Sequence, residues 1–285
     1  MTTSPVNAAA ALREAFVFLR YRPADDEALI GTVNHDSSWS HCGPLLDSSS
    51  LPCSLHEFAA AAFTGSILPR LFPFLEFVNA FLVASGLNHY LFTIRATTTT
   101  HEFDRPRWHT DELFFSDGNL PGTQLGHSSQ YEHGRSATAF FGTNWKICTA
   151  FLGPPTLFIP REHQSCAREK QRLIQKAAST NHACLSIRCV GCASAADVVR
   201  EKLATALAQS GIETAMPGEC TLFRIGRDSG AVHSEPSMSG NQHGRIFVNV
   251  VPGTKEELRR LMERWGMEFP RQWWVGSHVL RAHTE

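Results

Sequence analysis

The sequence predicts an α+β chain built on a double-stranded β-helix, or jelly-roll, core, and two observations lead there. Segments of period two, rich in aromatic and β-branched residues, concentrate between about residues 90 and 251. Segments of helical pattern lie before, between and after them, and short strands decorated in this way suit two sheets packed against helices.

Residues 1–88 are expected to form a helical N-terminal region. Asn7 can cap an alanine-rich segment running to Arg20, and Ser54 can cap residues 55–63. The longest apolar stretch, residues 66–86, is interrupted by Pro69, Arg70, Pro73, Glu76 and Asn79, so it predicts a packed helix pair and not a membrane span. The strand core is expected over residues 89–251. Tyr90, Phe92 and Ile94 alternate against Leu91, Thr93 and Arg95, a β-branched run covers residues 97–100, and residues 107–115 stay extended.

A loop rich in Gly, Ser, His and Asn follows over residues 116–136, turning at Pro121-Gly122. Loops beyond about 12 to 15 residues are either functional covers or inserts, and both readings stay open for this one, as they do for its His127 and His133. Residues 137–152 return to strand character, Gly153-Pro154-Pro155 turns the chain, and residues 156–159 give a short strand. Residues 161–210 read as a helical insertion, in which helices over 161–178 and 194–210 flank a strand over 184–190. Three more extended segments, residues 219–225, 231–233 and 244–251, complete the core. Residues 252–285 supply a final helix over 255–265 and a tail, and no repeat of solenoid length divides residues 1–285, which read as one domain.

Composition narrows the function. Hydrophobic residues make up 42% and charged ones 19% of 285, the balance of a folded protein. With 26 basic and 27 acidic residues interspersed, the net charge of −1 creates no field for nucleic acid or an anionic membrane, and neither is expected as a partner. Residues 1–15 lack the basic, apolar and small-residue order of a secretory signal, so a cytoplasmic location is expected. Eight cysteines are too dilute for a disulfide scaffold. Cys189 and Cys192 form a CxxC without a second pair for zinc, near only Cys184, and it does not open a helix as a thioredoxin motif does.

The chemistry starts at His109 and Asp111. On a strand, residues two apart share a face, so an imidazole and a carboxylate converge while Thr110 points away and Trp108 joins the core. A second histidine from another strand, His233, completes a 2-His-1-carboxylate set that leaves three positions open on iron(II). Alone, the HxD pattern is equally the surface of a strand. Arg245 follows His233 by twelve residues and opens the run Ile246-Phe247-Val248-Asn249-Val250, sharing a face with Phe247 and Asn249. His243 reads as a turn residue.

In this order and spacing the sequence resembles the iron(II)- and 2-oxoglutarate-dependent dioxygenases. The segments Arg107-Trp108-His109-Thr110-Asp111, residues 147–156, and Ala231-Val232-His233-Ser234-Glu235-Pro236 with Arg245 also look like a little-characterised bacterial domain of unknown function carrying the same ordered motifs. The resemblance covers about residues 90–251. It departs in the loop after Phe115 and the helical insertion, which separate Asp111 from His233 by 122 positions, more than most of these dioxygenases have.

The resemblance implies that His109, Asp111 and His233 hold Fe(II), that Arg245 grips the far carboxylate of 2-oxoglutarate, and that dioxygen is consumed to oxidise a substrate. A planar guanidinium fork, charged even when partly buried, suits the carboxylate. Arg95, Arg107 and Asn249 are candidates for contacts to a small-molecule substrate. The same triad also serves a barrel that binds a metal or ligand without oxidising anything, or a metal-dependent enzyme using no keto acid, for which zinc is apt.

Overall fold

The computed structural model describes residues 14–22, 30–115, 144–178 and 190–276. In chain order its strands are β1 (Phe16–Arg20), β2 (Ile30–Val33), β3 (Ser37–Pro44), β4 (Phe63–Gly65), β5 (His89–Thr97), β6 (Trp145–Leu152), β7 (Leu157–Phe158), β8 (Glu213–Thr214), β9 (Glu219–Arg224), β10 (His233–Ser234), β11 (Arg245–Gly253) and β12 (Arg271–Val275). The α-helices are α1 (Cys53–Ala62), α2 (Leu68–Ala84), α3 (Gln164–Ala178), α4 (Val190–Ala206) and α5 (Lys255–Arg264). The fold is mixed α+β around a large antiparallel sheet.

That sheet has seven strands in the order β1-β9-β6-β11-β5-β3-β12 and stays open between β1 and β12. Alternation along β11 sorts its two faces. Ile246, Val248 and Val250 are wholly buried and pack with Phe92, Ile94 and Ile147 against Phe58 of α1 and Leu71, Phe74, Leu75, Val78 and Leu82 of α2. The α2 residues recur at helical spacing, so one apolar stripe covers the sheet. Each fully buried Leu, Ile or Phe here contributes about 1.5 to 3 kcal/mol of transfer free energy, which makes this layer the main source of stability. The other face carries Arg245, Phe247 and Asn249, with Cys148 of β6 opposite Asn249.

A second sheet, β10-β7-β8, lies over that other face: Phe158 of β7 clusters with Cys148, Phe223 and Phe247. His109 extends this sheet beside β10 through an isolated antiparallel bridge to His233. The result is a row formed by the His109 segment, β10, β7 and β8, which packs through Phe158 of β7 on β6, β9 and β11. Outside it, Trp108 packs with Ile159, Ala167, Leu203, Leu207 and Val232, which fastens α3 and α4 to the second sheet.

Several expectations are corrected. Residues 16–20 are a strand and not the end of a helix, because Phe16-Val17-Phe18-Leu19 pairs in register with β9, Phe16 opposite Phe223. The N-terminal region also contains β2, β3 and β4, so it is not a helical unit. Ser54 does not cap α1, whose N-cap is Pro52; its hydroxyl instead accepts from Trp39 Nε1 at 3.1 Å and donates to Gln272 at 3.2 Å. The expected helix pair is the single helix α2, with a proline in its first turn and Pro73 accommodated inside. The C-terminal tail contains the edge strand β12, which pairs with β3, Trp274 opposite Trp39.

The insertion is helical as expected, although α4 already begins at Val190, four residues before Ser194. The rest of the expected strand over 184–190, the loop over 116–136 with His127 and His133, and the side chains of the Cys189/Cys192 motif lie outside the described residues. Among the described residues no helix is long and apolar enough to cross a membrane.

Candidate metal centre

The centre begins with backbone. His109 N–H donates to His233 C=O at 2.9 Å, and His233 N–H returns the bond to His109 C=O at 2.9 Å. Reciprocal pairing puts the two side chains side by side on one face, with ring centroids 4.4 Å apart. The buried Gln164 of α3 secures this register from behind. Its amide donates to Ile159 C=O at 2.7 Å and Val232 C=O at 3.1 Å and accepts from Val232 N–H at 2.7 Å. Ile159 C=O and Val232 N–H, beside the short strands β7 and β10, are thereby satisfied, and Val232 C=O gains a second donor beside Ile159 N–H at 3.2 Å. The Ser234 hydroxyl, also buried, accepts from Arg107 N–H at 2.7 Å.

Each imidazole is oriented by its own strand. His109 Nδ1 bonds Arg107 C=O at 2.7 Å, and His233 Nδ1 bonds Ala231 C=O at 2.9 Å. A carbonyl only accepts, so each Nδ1 carries the hydrogen and each neutral ring offers its Nε2 lone pair. Asp111 Oδ1 stands 3.6 Å from His109 Nε2 and 3.7 Å from His233 Nε2, beyond hydrogen-bond range. The three donor atoms lie within 4.8 Å of one another. Two imidazole nitrogens with preset tautomers and one carboxylate oxygen fit a divalent metal of the borderline class to which iron(II) and zinc belong.

Electrostatics suit the same role. Burial, followed by the neighbouring His109, pushes the His233 imidazole down to about 4, which keeps it neutral near pH 7. Burial opposes the charged form of Asp111, but His109, His233 and Lys146 outweigh it and hold the carboxyl well below its usual range. For His109, burial is outweighed by the Asp111 and Glu235 carboxylates and the Arg107 carbonyl, and its net shift is upward. Phe158 and Phe223 flank His233, with ring centroids at 5.7 and 5.0 Å.

Lys146 was not singled out from sequence. Its Nζ donates to Asp111 Oδ2 at 2.6 Å, from a position over the rings of Phe114 and Phe223. The one signal is a cation inside the otherwise apolar run Trp145-Lys146-Ile147-Cys148.

Arg245 is 8% exposed. Its Nε donates to Pro154 C=O at 2.9 Å, a terminal nitrogen reaches Thr156 Oγ1 at 3.2 Å, and the guanidinium stacks on Phe247 at 4.4 Å. The approach depends on Gly153 and Gly244. Both have positive φ, and a Cβ on Gly153 would stand 2.7 Å from Gly244 O and 3.2 Å from Arg245 Cα. Among the described residues no carboxylate lies within ion-pair distance of Arg245, and burial pushes its guanidinium down to about 10. Glu235 acts electrostatically on both His109 and Arg245.

Of the remaining candidates, Arg95 and Asn249 share the Arg245 face and Arg107 points elsewhere, to Glu102. Arg95 is exposed on β5 opposite Phe247. Arg107 pairs with Glu102 at 2.5 Å and lies over Phe103. Asn249 lies half-buried on the Arg245 face, its Oδ1 enclosed without a hydrogen bond. His243 is an exposed turn residue. A cleft of about 340 Å³ opens where β6 and β9 diverge; it shares Cys148 and Thr156 with the Arg245 surroundings and includes none of the triad. No protein-family model, curated protein or solved structure matches the chain.

Proposed function

We propose that the chain is an iron(II)- and 2-oxoglutarate-dependent dioxygenase that oxidises, by default hydroxylates, a small organic substrate. The observation that carries this reading is the convergence of His109, Asp111 and His233 on the second sheet, which packs through Phe158 on the large-sheet face that bears the buried Arg245. Phe247, on which Arg245 stacks, belongs to the same cluster as Phe158 and Phe223, the rings beside His233.

Charge supports a dianionic cosubstrate. Two neutral imidazoles, one carboxylate and the Lys146 ammonium sum to zero, so a divalent ion brings two positive charges into an enclosed region. Arg245 adds a third and Glu235 offsets one. A buried positive surplus favours an anionic ligand, and 2-oxoglutarate brings two carboxylates: one for the metal, one for the guanidinium fork. Bound there, iron(II) and the keto acid supply the activation of dioxygen. The chain's own part is to orient the two imidazoles, grip the far carboxylate and exclude water with Phe158, Phe223 and Phe247.

The facing strand rows agree with a double-stranded β-helix. We read β5, β11, β6 and β9 as its larger sheet, and the His109 segment, β10, β7 and β8 as its smaller one, with β1, β3 and β12 as additions at the edges. The deciding experiment loads the chain with iron(II) anaerobically, adds 2-oxoglutarate and oxygen, and measures succinate. Release that depends on iron, rises with a panel of small substrates and disappears in Asp111→Ala is expected. Iron binding with no succinate under any condition removes the 2-oxoglutarate reading and leaves a metal-binding barrel.

A further inference from the structure

We infer that Lys146 is a positioning residue that confines Asp111 to a single oxygen toward the metal and so keeps a third coordination position open. The inference rests on the metal reading of His109, Asp111 and His233.

The two carboxylate oxygens of Asp111 have different surroundings. Oδ1 faces both imidazoles at nearly equal distance, 3.6 and 3.7 Å, whereas Oδ2 receives Lys146 Nζ at 2.6 Å. The Lys146 side chain is 13% exposed and that of Asp111 19%, so water screens the bond little. Among the described residues the ammonium has no second carboxylate within ion-pair distance. Its place is set by β6, where Lys146 lies opposite Phe223 of β9, and by the rings of Phe223 and Phe114 at 5.6 and 5.5 Å.

A carboxylate often chelates a metal through both oxygens. On a six-coordinate ion, two imidazoles and a chelating Asp111 would leave two positions, while one oxygen leaves three. Chelation requires Oδ2 to leave a short charge-assisted bond and strand an ammonium among aromatic rings, which is unfavourable. Three open positions accommodate a chelating anion and one further ligand; two accommodate only the chelator. Lys146 also cancels the charge of Asp111, which strengthens the pull of the loaded centre on an anion.

The test uses the full chain with cobalt(II), whose visible spectrum reports coordination, and oxalate as a chelating probe. The wild-type chain and Lys146→Arg are expected to bind cobalt and take up oxalate with affinities within about threefold of each other. Lys146→Met is expected to keep cobalt, show an altered spectrum, and bind oxalate at least about tenfold more weakly, as outer-sphere substitutions do. A melting temperature alongside each variant separates these effects from loss of fold. Where Lys146→Met does not fold, Lys146→Leu, which likewise removes the N–H from Oδ2, is expected to show the same weakening. Unchanged spectra and oxalate affinity in a folded Met or Leu variant overturn the inference, as does equal weakening in the Arg variant. A wild-type chain that takes up no cobalt overturns the metal reading itself, a result distinct from any difference among the variants.

Discussion

His109 and His233 exchange both of their backbone hydrogen bonds, each at 2.9 Å, so the two imidazoles are paired by strand geometry before any ligand arrives. A preformed pair implies that metal stabilises the fold without building it. At about 100 Kd of free metal, linkage gives about 2.7 kcal/mol, or a rise of about 4 to 10 °C in the melting temperature of a domain this large. His233→Ala is expected to abolish that rise and metal uptake while keeping the strand content of the metal-free chain; scanning calorimetry with and without metal, beside circular dichroism, checks both.

Gln164 carries more than its own helix. Gln164→Ala leaves Val232 N–H and Ile159 C=O without their buried partner, while Val232 C=O keeps the Ile159 N–H at 3.2 Å; the loss is about 1 to 3 kcal/mol for each unsatisfied group before relaxation. Urea unfolding is expected to show a destabilisation of at least about 2 kcal/mol, accompanied by weaker metal binding because Val232 adjoins His233. A variant with full stability would mean that water replaces the amide.

Arg245 separates folding from ligand binding. Its buried charge has no carboxylate within ion-pair distance among the described residues, and an uncompensated buried charge opposes stability. Arg245→Met is therefore expected to leave unfolding stability unchanged or raised by about 1 kcal/mol, to retain metal, and to weaken 2-oxoglutarate binding at least about tenfold, the loss of one charged hydrogen-bonded contact. Calorimetric titration of both ligands reads the split. A large loss of stability with intact 2-oxoglutarate affinity would make Arg245 a structural strut for the Gly153-Pro154-Pro155 turn.

The sequence disclosed the site better than its scaffold. His109, Asp111 and His233 were legible because strand periodicity converts spacing into facing, and order along the chain supplied the rest. Lys146 was not, since its partnership with Asp111 spans 35 positions and joins β6 of the large sheet to the segment that bridges to β10. The strand over 16–20 was hidden because the alanine run before it invites a helix reading that extends to Arg20, whereas residues 16–20 pair with β9. β3, with Ser37, Ser38, Ser40 and Gly43, lacks the apolar alternation of a strand; it is one because β5 and β12 hydrogen-bond it on both sides.

Acid is expected to destabilise the metal-free chain. Burial depresses both His41 and His233, the latter to about 4, from an ordinary value of 6.5. A histidine that is neutral in the fold binds more protons once unfolded, so its contribution is full above pH 6.5 and declines as pH falls toward 4. His41 Nε2–H donates to Pro44 C=O at 2.8 Å, and its enclosed Nδ1 has no partner to receive a proton. The upward shift of His109 acts in the opposite sense. Urea titrations of the metal-free chain at pH 7, 6 and 5 are expected to show falling stability, with a shallower fall in His41→Phe; an identical slope in that variant would assign the effect elsewhere.

Cysteine chemistry gives an independent check on the two-layered packing. Cys42 and Cys148 are buried, and burial pushes their thiols up to about 12 and about 11; Cys220, also buried, shifts the same way. Since the thiolate is the nucleophile, these three are expected to resist alkylation at pH 8, while the exposed Cys53 and Cys166 react. Peptide mapping after iodoacetamide treatment distinguishes them. Cys148 is the informative one, because it packs with Phe158 and Phe223 beneath the second sheet. Its modification in the native chain, with Cys220 still protected, would mean that the β10-β7-β8 layer lifts away from the large sheet and that the metal centre opens with it.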